Sequence, residues 1–122
     1  MKNNVFKKFL ILSFFLFYGS VAAQADYQTE ISHLIGYVKA TECTYIRNGT
    51  SHNGVEGASH IKKKYDHYKK DIASAEDFIR LSATKSMISG KKYYIQCSGS
   101  PKIESSVWLL QELDRYRKKQ SK

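Results

Sequence analysis

Beyond residue 25 the apolar positions of the chain fall into two rhythms. Ile31, Leu34, Ile35 and Val38 are spaced i, i+3, i+4, i+7, which predicts an amphipathic helix starting near Asp26. Ala58, Ile61, Tyr65 and Tyr68 repeat that spacing and predict a second helix from Val55 to Tyr68, with Thr50-Ser51-His52-Asn53 offering N-caps. Ser74-Ala75-Glu76-Asp77 places a cap and acids before Phe78, Ile79 and Leu81, predicting a third helix that ends before Ser86. Trp108, Leu109, Leu113 and Tyr116 define a fourth, from Glu104 to about Lys119. Between the helices lie two segments of strand composition, Cys43–Ile46 and Lys92–Cys97, the latter with Tyr93, Ile95 and Cys97 on one side. Asn48-Gly49 and Ser89-Gly90 are turn dipeptides. The predicted class is α+β, predominantly helical: about four helices, a small two-stranded antiparallel sheet and one disulfide.

The first 25 residues follow a different logic. Lys2, Lys7 and Lys8 precede the apolar run Phe9–Tyr18, and small residues follow to Ala23-Gln24-Ala25, the three parts of a signal peptide. The apolar run is about half of what a membrane-spanning helix needs. The expected division is therefore 1–25 signal peptide and 26–122 a single domain, exported to the periplasm with no transmembrane anchor after cleavage. Its formal charge would be +6, from 17 basic and 11 acidic residues. Outside the cytoplasm that balance points away from nucleic acid and towards lipid headgroups, acidic polymers or an acidic protein. Two cysteines in an exported chain, Cys43 and Cys97, are expected to pair with each other.

The chemistry concentrates between Cys43 and Lys64. Glu56, His60 and Lys64 recur every four residues on one helical face, and the Asn48-Gly49 turn can carry the strand end, Arg47, over them. Two readings stay open. One is a structural network in which Glu56 pairs with Arg47 and His60. The other is a binding site for a carboxylate, phosphate or sulfate, with donors from Arg47, His60, Lys64 and the backbone near Asn48 and Gly49. A metal site at His52, Glu56 and His60 is disfavoured, because eight helical residues separate the histidine Cα atoms by about 12 Å. Ser86 or Ser89 with His60 as base would be a hydrolase arrangement, but no nucleophile-elbow motif accompanies them. His33, Glu104, Glu112 and Asp114 read as surface residues. No cofactor is implied.

Cys43-Thr-Tyr-Ile-Arg47-Asn48-Gly49, then Glu56, His60-Ile61 and Lys64, with Phe78-Ile79, Thr84-Lys85-Ser86, Ser89-Gly90, Tyr93 and Trp108-Leu109, resemble the YfeK-like family of small exported bacterial proteins, a domain of unknown function. Gly57 departs from the alanine usual there. The resemblance implies a periplasmic, mostly helical domain and carries no activity. The functional expectation is a non-catalytic envelope binding module for a protein partner or an anionic ligand; the alternative is a small periplasmic hydrolase using the His60 and Glu56 region.

Overall fold

The computed structural model describes residues 26–122. The signal peptide expected over 1–25 lies outside them.

Four helices form where the apolar periodicity places them: α1 (Tyr27–Ala40), α2 (Gly54–Tyr68), α3 (Ala75–Ser82) and α4 (Ser105–Gln120). Each of the first three is started by a side chain. Asp26 accepts from Gln28 N, Asn53 from Glu56 N, and Ser74 from Asp77 N, so orphan first-turn amides are satisfied before the apolar stripe begins. A short 3₁₀ turn, Lys69–Asp71, separates α2 from α3. The stripes converge on one core that includes Ile31, Leu34, Val38, Ile61, Phe78, Leu109 and Leu113.

Cys43 and Cys97 are bonded to each other. The sheet is larger than the two expected strands: it has four, all antiparallel, in the order β2-β1-β3-β4. β1 is Thr44–Arg47, β2 Thr50–His52, β3 Tyr94–Gln96 and β4 Ile103–Glu104. Asn48 and Gly49 both have positive φ, 52° and 76°, which makes their turn the loop of a β1–β2 hairpin with Arg47 opposite Thr50. The strands alternate faces, so Tyr45 and Arg47 share one side of β1 while Ile95 and Tyr93 share one side of the β3 segment. Tyr45 pairs with Ile95. That inner face meets α2 where Gly57 has no side chain: a Cβ there would lie 2.9 Å from the Tyr45 ring.

Two acids occupy core positions. Glu30 is buried and gripped by Arg117, whose Nε and Nη2 donate to its two oxygens at 2.7 and 3.0 Å. Glu112, read from sequence as a surface acid, is only 3% exposed. It accepts a fork from Arg115, both bonds 2.7 Å, and a 2.7 Å bond from His33 Nε2. His33 is accordingly half-buried and stacked on Tyr116. The reason is local: on α4, Glu112 sits one turn past Leu109 and beside Leu113, and the arginine one turn on makes a carboxylate tolerable there. Glu104 is half-buried and paired with Lys92, while Asp114 is exposed and paired with Lys118.

Candidate functional site

Strand alternation brings Arg47 out at the end of the face that Tyr45 anchors, where the core gives way to solvent. On α2, His60 and Lys64 lie one turn apart beside the buried Gly57, Ala58 and Ile61. The two elements meet through Arg47 Nη1 and His60 Nδ1, 2.6 Å apart. A guanidinium only donates, so Nδ1 accepts and the imidazole proton sits on Nε2. Nε2 then donates to the Tyr93 hydroxyl at 3.2 Å, and Lys64 Nζ donates to the same oxygen at 3.2 Å and to the Lys85 carbonyl at 2.6 Å. Four side chains thus form one chain of bonds: Arg47, His60, Tyr93, Lys64.

The electrostatics of this chain are one-sided. Among the described residues no carboxylate bonds to any of its members. Burial, followed by the charges of Arg47 and Lys64, pushes the His60 pKa down to about 4. Burial, followed by Arg47, pulls the Lys64 ammonium down to about 8. Arg47 Nε is buried and has no hydrogen-bond partner among the described residues. A cavity of about 400 Å³ opens here, lined by Arg47, His52, Glu56, Ser59, His60 and Lys63.

The residues expected from sequence divide accordingly. Arg47, His60 and Lys64 are brought together. Glu56 is not paired with Arg47; it closes a capping box, its Oε1 accepting from Asn53 N while Asn53 accepts from Glu56 N. That local bond outcompetes a longer-range one because Glu56 is the third residue of α2, within reach of its own cap. Asn48 and Gly49 build the hairpin turn, and Asn48 Oδ1 accepts from Ser89 Oγ at 2.7 Å. Lys64 is half-buried and doubly bonded. The strand pattern places Tyr93 on the side of Ile95 and gives no sign of its polar role; its ring fills the core while its hydroxyl joins His60 and Lys64.

Other chemistries fare less well. Both ring nitrogens of His60 are engaged, and Ser86 Oγ accepts from the Ile88 and Ser89 amides, so the arrangement supplies no free base beside a hydroxyl. Among the described residues no three His, Cys, Asp or Glu side chains converge as a metal requires, and no helix is long and apolar enough to cross a membrane.

Comparison with known proteins agrees with the resemblance in the sequence. A family model described as "Family of unknown function (DUF5329)" matches residues 25–117. The chain is similar to the uncharacterized protein YfeK of Salmonella typhimurium, 40% identical over 52 residues, 43% of each chain. The chain thus spans less than half the length of this relative. No solved structure matches.

Proposed function

The chain belongs to the DUF5329 family of unknown function, and from its own geometry we propose that it is an exported, non-catalytic binding module that takes an oxyanion at Arg47, His60 and Lys64. One observation carries this reading. Arg115 and Arg117 each present their Nε and Nη2 edge to a buried carboxylate. Arg47 spends Nη1 on His60, and its Nε is left without a partner beside a cavity rich in donors. A carboxylate, phosphate or sulfate would supply the acceptor that the other two arginines find within the fold.

Export supports the same reading. A single disulfide suits an oxidising compartment, and the first 25 residues have the charge and hydropathy pattern of a cleaved signal. Mass spectrometry of the envelope fraction is expected to find Asp26 at the N-terminus; a full-length chain in the membrane fraction would overturn export.

The anion site is tested by titrating inorganic phosphate, sulfate and acetate into ¹⁵N-labelled protein. Saturable shifts at the Arg47 side chain and His60 are expected, weakened about tenfold or more in Arg47→Met. Shifts scattered over surface lysines, or unchanged by Arg47→Met, would overturn the site.

A further inference from the structure

Ile88 is 100% exposed and its neighbour Met87 is 47% exposed. They sit at the tip of a turn, Ser86–Gly90, whose base is a backbone bridge between Lys85 and Lys92. The tip is rigid. Ser86 Oγ accepts from the amides of Ile88 and Ser89, the Ser86 carbonyl accepts from Gly90 N, and Ser89 Oγ donates to Asn48 across the gap to the β1–β2 turn. Gly90 supplies the positive φ, 74°, that closes it. Fully exposed, the isoleucine contributes no burial to the core.

Charge surrounds this apolar point. Lys85 and Lys91 are exposed at its base. Between the turn and α2 runs a groove of about 340 Å³ lined by Lys63, Lys64, His67 and Tyr68 together with Met87 and Ile88, and no acid lines it. A narrow apolar tip on a cationic collar with an aromatic beside it fits one environment well. Hydrocarbon accepts the tip, phosphate headgroups accept the lysines, and tyrosine suits the boundary between them. A protein partner would need a broad, flat contact of about 800 Å² per side, which a two-residue protrusion does not provide.

We propose that the Ser86–Gly90 turn docks the protein onto an anionic phospholipid surface, Met87 and Ile88 entering the edge of the hydrocarbon while Lys63, Lys85 and Lys91 face the headgroups. Lys63 also lines the cavity beside Arg47, whereas Met87, Ile88, Lys85 and Lys91 lie outside it. Because the tip is already ordered, docking loses little conformational freedom. The contact is peripheral and reversible: two apolar side chains and a few lysines hold a protein at a bilayer without embedding it.

The test is flotation of the protein, its N-terminus checked by mass spectrometry, with phosphatidylcholine vesicles with and without phosphatidylglycerol. Partition onto the anionic vesicles only is expected, falling as salt is raised. Ile88→Asp, at a fully exposed position, is expected to leave the melting temperature unchanged and to lower partition about tenfold or more. Lys91→Gln is expected to lower it roughly fivefold. Equal binding to neutral vesicles, an Ile88→Asp protein that floats as well as the parent, or a dimer in sedimentation that Ile88→Asp dissolves would each overturn the proposal, the last by assigning the tip to a second copy of the chain.

Discussion

Arg47 Nη1 lies 2.6 Å from His60 Nδ1, across 13 residues of sequence, and this one bond fixes which nitrogen of the imidazole carries the proton. It also sets the histidine against protonation, since a proton on Nδ1 would face a guanidinium that cannot accept.

NMR titration of the imidazole is therefore expected to give a His60 pKa near 4, well below its ordinary value of 6.5. Arg47→Met should move it upward, and a bound oxyanion should do the same in the parent protein. The stability consequence has a definite sign. Between about pH 6.5 and 4 the unfolded chain holds the proton and the folded one does not, so the contribution is present above 6.5 and is lost as pH falls towards 4. Lys64 behaves alike in its own range: stability rises as pH increases from about 8 towards 10.5, where only the unfolded ammonium stays charged. Melting curves across both windows, compared with His60→Gln and Lys64→Met, check the assignment.

Glu56 caps its own helix and lies 4.0 Å from His52 Nδ1, and it does not pair with Arg47. Glu56→Ala and Asn53→Ala are each expected to cost about 1 kcal/mol, not the several expected for breaking a buried ion pair. The two bonds are reciprocal, so the double variant should cost less than the sum of the singles. Urea denaturation of the four proteins measures this.

Two glycines within helices should respond oppositely to alanine. Gly36 has open space around it, so Gly36→Ala is expected to stabilise by about 0.5 to 1 kcal/mol through helix propensity. Gly54 opens α2 directly against the end of α1, and a Cβ there would press on the carbonyls of Val38 and Thr41, the latter at 2.8 Å. Backbone cannot yield as a side chain can. Gly54→Ala is expected to destabilise by about 2 kcal/mol or more, since the helices must separate to admit it.

Arg117→Ala leaves Glu30 buried without its fork, and thermal denaturation is expected to show a loss of about 3 kcal/mol. Lys118→Ala, which breaks an exposed pair with Asp114, should cost less than about 0.5 kcal/mol.

The helices, the disulfide and the central strand pair were legible in the sequence because each has a local signature: a 3.6-residue rhythm, a cap, a lone cysteine pair, a β-branched run. β2 was not, since Thr50-Ser51-His52 is a polar edge strand with no inward hydrophobic face, and its pairing is dictated by the turn before it. β4 is two residues long and follows the only proline closely. At the site, helical spacing found His60 and Lys64 and the turn dipeptide found Arg47. The same spacing misassigned Glu56, because a cap and a network member look alike until the helix start is known to be Asn53. Glu30 and Glu112 did carry a signal: each lies on its helix's apolar stripe, Glu30 with Leu34 and Val38, Glu112 with Leu109 and Leu113. An acid on such a stripe asks for a partner, but the sequence does not say that Arg117, 87 residues away, is the one.

The strand order β2-β1-β3-β4 puts the first and second halves of the chain side by side at the centre of the sheet. Tyr45 and Ile61 are therefore without their cover until Tyr93 and Ile95 have been made, and Cys43 waits as a thiol for a partner 54 residues downstream. No half can finish alone. Acquisition of structure is expected to be late and concerted, and a ribosome-tethered chain stopped before Tyr93 should remain open to protease throughout. With two cysteines there is one intramolecular pairing to make, so oxidation has no wrong isomer to correct.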